Sequence, residues 1–290
     1  MEKFKGTGVA IITPFKENEE IDFPALEKVT EHIISGGCEY IVMLGTTGET
    51  ATQSATEKRQ VVDTILKVNN KRVPLVMGIG GNNTREVIAT LKDFNFEGID
   101  AVLSVCPYYN KPNQQGIINH YTAVADASPR PVILYNVPGR TGVNMTAATT
   151  LKLAAHKNIL AMKEASGNME QCMAIIKNKP ADFLVISGDD SLTLPFMAIG
   201  MDGVISVVAH AHPADFSEMV RQSLKGDFVA ARKLHYKTFD SSTTIFADGS
   251  PSGIKIMLEQ MGICGSTVRI PLAPVNNEVK AKLIDLVKNY

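Results

Sequence analysis

The sequence predicts a closed (β/α)8 barrel followed by a helical extension. Short apolar runs rich in β-branched residues recur eight times and end in turn residues, which is the pattern of β-strands. The runs are apolar on both faces, and segments with helical spacing of apolar residues separate them. Because strands buried on both faces and joined by helices form parallel sheets, eight such units within about 200 residues favour a barrel.

The strand candidates follow one another through the first 210 residues. In order they are GVAIIT from Gly8, YIVMLG from Tyr40, PLVMGIG from Pro74, AVLSVCP from Ala101, PVILYNVP from Pro131, ILAMKEAS from Ile159, FLVISGDD from Phe183 and GVISVVAH from Gly203. Helical patterns lie between them, as in FPALEKVTEHIISGG, TEKRQVVDTILKVNN, TREVIATLKDF and NMEQCMAIIKN. We therefore expect residues 1–210 to form a barrel that carries the active site.

An open doubly wound sheet is the alternative for such an alternation of strands and helices. A doubly wound sheet that binds a nucleotide should carry a G-x-G-x-x-G turn where its first helix begins. The first junction here reads ITPFKENEEID and contains no glycine. The sequence therefore favours the barrel.

The remaining residues, 211–290, predict three or four further helices. The helical segments are HPADFSEMVRQSLKGD, FVAARKLHYKTFDSSTTIF, SGIKIMLEQMG and NNEVKAKLIDLVKN. No low-complexity linker precedes them, so we expect a C-terminal extension that packs on the barrel and takes part in assembly.

The composition is that of an ordinary soluble protein, with 44% hydrophobic residues, 20% charged residues and a net charge of -1. Without a basic stripe, nucleic acid and membrane surfaces are not expected partners. The four cysteines stand far apart, which predicts reduced, packed thiols. The chain shows neither a signal-peptide pattern nor a bilayer-spanning stretch, and we expect a cytoplasmic protein.

Lys163 is the most informative candidate, because active sites of such barrels lie at the C-terminal ends of the strands. It stands inside an apolar run, where burial would lower the pKa of its ammonium group and favour the neutral amine. A neutral lysine amine can attack a ketone to form an imine. Position alone also allows a lysine that pairs with Glu164 or turns outward, although alternation along a strand points Glu164 to the opposite face.

Three neighbouring features could serve the same chemistry. Tyr135 ends the adjacent strand and could exchange protons with an imine, or it could be a core tyrosine. The turn at 46–48 offers hydroxyl and N–H groups to a small carboxylate, or it could simply precede a helix. Arg140 could grip a second carboxylate in bidentate fashion, whereas a lone loop arginine is often solvated.

Other polar residues predict no further chemistry. His210 and His212 lack the additional ligands of a metal site, so we expect packing or surface roles and no bound metal. Asp189 and Asp190 stand where a helix begins, and carboxylates there commonly interact favourably with the helix dipole. We interpret both aspartates as structural.

In combination, five motifs resemble those of the pyruvate-dependent class I aldolases, the dihydrodipicolinate synthase and N-acetylneuraminate lyase family. The motifs are GTTGE at 45–49, PYYNKP at 107–112, YNVPGRTG at 135–142, the lysine of AMKEASGN, and GVISV at 203–207. The resemblance covers nearly the whole chain. It implies a (β/α)8 barrel, a lyase activity and a homotetramer built as a dimer of dimers.

The resemblance also implies a role for each matching residue. Lys163 would form a Schiff base with pyruvate, so that no other cofactor would be needed. The residues implied to relay protons are Tyr135, Thr46 and Tyr109, with Tyr109 supplied by the neighbouring subunit. The residues implied to bind substrate are Thr47, Gly48, Arg140, Gly188 and Ile205.

Thr47 and Arg140 indicate which reaction to expect within the family. Sialate lyases tend to carry serine at the first position and to lack the arginine, since their aldehyde has no carboxylate to pair with it. We therefore expect condensation of pyruvate with L-aspartate 4-semialdehyde, a step of lysine and diaminopimelate biosynthesis. The alternatives are an N-acetylneuraminate or 2-keto-3-deoxy sugar acid aldolase with the same imine chemistry and, more remotely, a non-catalytic barrel that binds keto acids.

Two segments depart from the family's pattern. Members inhibited by lysine often have a histidine after GTTGE, and residues 50–58 contain none, although Asn82, Glu86 and Tyr108 match the effector site. We expect lysine to inhibit weakly or not at all; micromolar inhibition in a steady-state titration would contradict this. The second departure is DGSPSG at 248–253, where relatives read NPxPxK around the position of Lys255.

Overall fold

Eight parallel strands close into a barrel in the computed structural model, which describes residues 1–290. The strands are β1 Gly6–Ala10, β2 Tyr40–Met43, β3 Leu75–Gly78, β4 Ala101–Val105, β5 Val132–Asn136, β6 Ile159–Glu164, β7 Leu184–Ser187 and β8 Gly203–Ser206. Each strand pairs with the next along the chain, and β8 pairs with β1. The predicted (β/α)8 barrel is confirmed.

Twelve α-helices accompany the strands. They are α1 Phe23–Ser35, α2 Ala55–Asn69, α3 Thr84–Asp93, α4 Gln114–Ala127, α5 Pro138–Thr141, α6 Ala147–Ala154, α7 Met169–Asn178, α8 Thr193–Ala198, α9 Pro213–Leu224, α10 Phe228–Thr244, α11 Ser252–Gln260 and α12 Asn277–Lys288. Local signals set their ends: α2, for example, begins at a capping box in which Ser54 and Glu57 satisfy each other's backbone N–H groups. None of the helices is long and apolar enough to cross a membrane.

Alternation along the strands separates two hydrophobic cores. One set of strand residues, including Val42, Ile133 and Ile186, belongs to a cluster of 14 buried residues inside the barrel. Their neighbours along the same strands belong to a cluster of 61 buried residues that also contains the inner faces of the helices. Inward and outward side chains therefore alternate as expected for a barrel whose strands are covered by helices.

The N-terminal end of the barrel is closed by aromatic side chains. The rings of Phe4 and Tyr40 meet edge to face with centroids 5.7 Å apart. Tyr40 fits only because Gly8 has no side chain, since a Cβ there would lie 2.1 Å from the tyrosine ring. A cavity therefore lies at the opposite end of the barrel, at the C-terminal ends of the strands.

The helices after β8 pack on the barrel and on one another. Helix α9 contacts β1 and β8, the place of an eighth barrel helix, and α10 packs against α8, α9 and α12. Judged by these contacts, α9 belongs to the barrel, and the helices added to the barrel begin with α10. The predicted division into residues 1–210 and 211–290 stays a prediction.

Candidate active site

Lys163 lies on β6 with its side chain inside the barrel. Its register partners are Tyr135 on β5 and Ile186 on β7, and only 6% of the lysine is exposed. No acidic group lies close enough to form an ion pair with it. Burial lowers the pKa of Lys163 to about 8, against the opposing influence of Asp190. A substantial fraction of the amine is therefore neutral near physiological pH, as a nucleophile requires.

Tyr135 is the nearest aromatic neighbour of this amine. The Lys163 Nζ atom lies 4.4 Å from the centroid of the Tyr135 ring. Burial raises the pKa of the Tyr135 phenol to about 12, although the nearby charge of Arg140 works in the other direction. The phenol is therefore protonated at neutral pH and can donate a proton or a hydrogen bond beside the lysine.

Thr46 and Thr47 lie in a single 3-10 turn, Thr46–Gly48, separated from the end of β2 by two residues. Thr47 is buried, whereas Thr46 is exposed. The turn is held by Gln53, whose side-chain amide donates to the carbonyl of Gly48 at 2.7 Å and to the hydroxyl of Thr13 at 3.0 Å. Its hydroxyl and N–H groups are thus presented on a fixed backbone.

Arg140 stands on the short helix α5 immediately after β5. It is exposed and forms no ion pair with any residue of the chain. Its positive charge acts on the pKa values of both Tyr135 and Lys163. An arginine without an acidic partner at this place can pair with an anionic substrate group.

One cavity of about 760 Å³ joins these groups at the C-terminal end of the barrel. Its lining includes Lys163, Tyr135, Thr46, Thr47 and Arg140. The geometry therefore combines an amine of lowered pKa, a phenol, two hydroxyl groups and an unpaired guanidinium. That set can form an imine with a small keto acid and bind a second, anionic reactant.

The full length of the chain matches a known protein family. Residues 3–290 fit the model of the dihydrodipicolinate synthetase family. The chain belongs to this family. A curated relative from Parabacteroides distasonis, a 4-hydroxy-tetrahydrodipicolinate synthase, is 50% identical over 285 residues, which cover 98% of this chain and 96% of the relative. The family predicted from the motifs is thereby confirmed.

Solved structures of the family agree with the fold over almost the entire chain. A chloride-inhibited dihydrodipicolinate synthase from Acinetobacter baumannii, complexed with pyruvate, is 39% identical with a TM-score of 0.95, and the match covers 98% of both chains. A monomeric dihydrodipicolinate synthase variant is 33% identical with a TM-score of 0.96, covering 99% of this chain and 96% of the variant. The barrel, its closure and its C-terminal helices are those of this family.

Tyr109 does not join the other predicted residues in this chain. It is 88% exposed, adopts a left-handed backbone with φ of 71°, and is absent from the cavity lining. Its backbone N–H points to the carbonyl of Thr141 at 3.4 Å. The side chain therefore does not line the cavity that contains Lys163 of its own chain.

Three other predicted residues lie next to the cavity and do not line it. Gly188 approaches Lys163 closely, since a Cβ at this glycine would lie 3.1 Å from the lysine Cε. Ile205 is buried inside the barrel in the cluster that contains Tyr135. Gly48 ends the threonine turn, and a Cβ there would lie 3.2 Å from the carbonyl oxygen of Ile11.

The two histidines interpreted as non-catalytic have internal partners. His210 accepts from the Ile12 N–H at 3.1 Å through Nε2 and donates to a carbonyl at 2.7 Å through Nδ1, so both ring nitrogens are occupied. His212 is also buried and contacts the Ser241 hydroxyl at 2.9 Å. Their roles are in packing and not at the surface. The four cysteines are buried and free.

Asp190 is hydrogen-bonded to the segment that follows β8. Its carboxylate accepts the N–H groups of Val207 and Val208, each at 3.0 Å, and so holds the turn that follows β8. Helix α8, next along the chain, begins only at Thr193. The Asp190 carboxylate therefore stabilises the turn after β8, and not the start of a helix as the sequence suggested.

Sequence reasoning missed the network around Glu164. This carboxylate is fully buried on the outer face of β6. It accepts from the Asn136 amide at 3.1 Å, the Gln171 amide at 3.0 Å and the Ser166 N–H at 2.7 Å. The side-chain oxygen of Asn136, Oδ1, in turn accepts from the Met145 N–H at 2.9 Å. The buried Glu164 side chain is therefore satisfied entirely by neutral hydrogen-bond donors.

This network lies directly behind Tyr135 and Lys163. Asn136 and Glu164 are register partners one residue beyond Tyr135 and Lys163. Their hydrogen bond therefore joins the ends of β5 and β6 on the outer face of the barrel. The signal available in the sequence was a glutamate and an asparagine at equivalent ends of neighbouring strands.

Proposed function

We propose that this chain is a 4-hydroxy-tetrahydrodipicolinate synthase, which condenses pyruvate with L-aspartate 4-semialdehyde. It is a lyase that acts through a Schiff base on Lys163. The observation that carries the proposal is the buried amine of Lys163, without an acidic partner, facing Tyr135 in a cavity that also contains the unpaired Arg140. The pyruvate complex of the Acinetobacter baumannii relative supports pyruvate as the first substrate.

The first half of the reaction builds a nucleophile from pyruvate. The neutral amine of Lys163 attacks the keto carbon, and loss of water from the adduct gives the imine. Thr47 and the N–H groups of the threonine turn hold the pyruvate carboxylate. Tyr135 supplies the proton that the departing hydroxyl needs, and loss of a methyl proton then converts the imine into an enamine.

The second half joins the two substrates and frees the enzyme. The enamine carbon attacks the aldehyde of the semialdehyde, whose carboxylate pairs with Arg140. The amine of the semialdehyde then attacks the imine carbon, and the Lys163 amine leaves as the ring closes. The net result is one molecule of 4-hydroxy-tetrahydrodipicolinate and one of water. No cofactor takes part, because the protonated imine serves as the electron sink.

The proton relay requires a second copy of the chain in this proposal. Tyr135 and Thr46 belong to the cavity, whereas Tyr109 is exposed and does not line it. Tyr109 of a neighbouring copy completes the relay, and two such dimers form the homotetramer. Thr46 passes protons between the two tyrosines. The cytoplasmic location stays a prediction.

Borohydride trapping tests the proposal directly. The protein is incubated with pyruvate, reduced with sodium borohydride and digested, and the modified peptide is located by mass spectrometry. The same preparation is assayed with aspartate 4-semialdehyde. An adduct on Lys163 together with turnover supports the proposal. An adduct without turnover assigns the chain to a sugar acid lyase, and no adduct on Lys163 contradicts imine chemistry altogether.

Arg140→Ala is expected to separate the two substrates. Loss of the charged, bidentate contact should lower kcat/KM for the semialdehyde about 100-fold, because a charge-assisted pair contributes a few kcal/mol to binding. The pyruvate concentration that gives half-maximal trapping should stay within about twofold of wild type. Steady-state kinetics and trapping measure both values.

The matched control is Arg232→Ala, at an exposed arginine on α10 outside the cavity. It should leave both parameters unchanged. If Arg140→Ala retains the wild-type kcat/KM for the semialdehyde, Arg140 does not bind the second carboxylate.

A further inference from the structure

A completely buried ion pair connects the C-terminal helices to the threonine turn. Lys255 on α11 and Glu49 directly after the turn have side chains with 0% exposure. The two residues are 206 positions apart in the chain. None of the other ion pairs of the structure is buried to this degree.

The surroundings of this pair satisfy both charges and fix the position of Glu49. The Lys255 ammonium donates to one Glu49 oxygen and, at 2.8 Å, to the carbonyl of Thr267. It also lies 4.4 Å from the centroid of the Phe15 ring. The second Glu49 oxygen accepts the backbone N–H of Arg269 at 2.9 Å. One oxygen of the carboxylate is thus held by α11 and the other by the segment that follows α11.

Glu49 in turn fixes the backbone of the threonine turn. Its N–H donates to the carbonyl of Thr46 at 3.1 Å, and its own φ of 53° places it in the left-handed region. A non-glycine residue keeps such a conformation only where its surroundings hold it there. Displacing the Glu49 side chain would therefore move the carbonyl of Thr46 and the groups that face the cavity.

Stability alone does not account for a pair in this place. Burying two charges has a large desolvation cost, and replacing a buried ion pair with neutral residues of similar size is often neutral or stabilising. A hydrophobic pair at positions 49 and 255 could fill the space but could not make the directed hydrogen bonds that join Glu49 to Lys255 and to the Arg269 N–H. The directional contacts point to a role in setting the geometry of the turn.

We propose that Lys255 and Glu49 are positioning residues that hold Thr46 and Thr47 in the geometry that binds pyruvate. The inference rests on the proposed function. It gives the C-terminal helices a part in catalysis beyond assembly, because α11 supplies the lysine. It also gives a reason for Lys255 to be present although the preceding DGSPSG segment departs from the family's pattern.

The test uses two variants of the full-length protein. Glu49→Gln with Lys255→Met removes both charges together, so that no uncompensated charge remains buried. Glu49→Asp keeps both charges and shortens one side chain by a methylene group. Each variant is examined for thermal unfolding, for the pyruvate dependence of borohydride trapping at Lys163, and for KM of both substrates.

Both variants should fold and should need at least about tenfold more pyruvate for half-maximal trapping. The KM for the semialdehyde should change less than about twofold, because Arg140 stands on a different loop. A purely structural pair would change the unfolding temperature without this selective effect on pyruvate.

The control is Glu31→Gln with Arg72→Met, which removes a bidentate ion pair at the protein surface. It should leave the pyruvate dependence unchanged. If the folded variants at Glu49 trap pyruvate as wild type does, the positioning role is wrong. If wild-type protein fails to trap pyruvate at all, the proposed function fails instead.

Discussion

Replacing Lys163 with alanine is expected to lower kcat on the order of 10⁴-fold or more. Without the amine no imine forms, and the remaining groups can only bind and orient the substrates. Pyruvate should no longer be incorporated on borohydride reduction. Single-turnover and steady-state assays measure the loss of activity, and mass spectrometry measures the loss of the adduct.

Lys152→Ala is the control, because Lys152 is exposed on α6 and lies outside the cavity. Its activity and trapping should match wild type. Since the Lys163 side chain forms no ion pair, its removal should not destabilise the fold through a lost partner. An alanine variant that still incorporates pyruvate would place the nucleophile on another lysine.

Tyr135→Phe is expected to lower kcat by about 10²- to 10⁴-fold, the usual contribution of a positioned acid or base. The phenol is protonated at neutral pH because burial raises its pKa to about 12. Its removal takes away the proton donor beside Lys163 and leaves the ring in place. Imine formation should become slow, while prolonged incubation with pyruvate should still give an adduct on Lys163.

The time course of borohydride trapping checks this prediction. Tyr236→Phe is the matched control, since Tyr236 is 67% exposed on α10. A Tyr135→Phe variant with wild-type rates of trapping and turnover would show that the phenol is a core residue without a part in proton transfer. A variant that never forms the adduct, although folded, would show that Tyr135 is indispensable for the imine itself.

The barrel and the position of Lys163 and Tyr135 inside it could be predicted because both depend on short-range patterns. Apolar runs of four to six residues mark the strands, and helices of regular spacing join them. A strand's twofold alternation then determines that Lys163 faces the interior when Glu164 faces outward. The Tyr135 and Lys163 candidates therefore followed from position within their strands.

Exposure and long-range pairing could not be predicted in this way. Tyr109 and Tyr135 each follow or end a strand, yet one is 88% exposed and the other 8%. Tyr109 lies in the loop after β4 with a left-handed backbone, whereas Tyr135 lies within β5. No local pattern of residues near 109 indicates that conformation.

The amino-acid sequence by itself determined the barrel and the family and singled out Lys163 as the candidate amine, since these depend on periodicity and on motifs of adjacent residues. Tertiary structure decided which distant residues satisfy the buried carboxylates behind Lys163 and beside the threonine turn. Glu164 is satisfied by Asn136, and Glu49 by Lys255, in pairs whose members are 28 and 206 positions apart. A buried carboxylate without a hydrogen-bond donor would cost several kcal/mol, so a donor must lie close to it in the folded chain. The fold, and not the spacing along the sequence, decides which residue is close enough to donate.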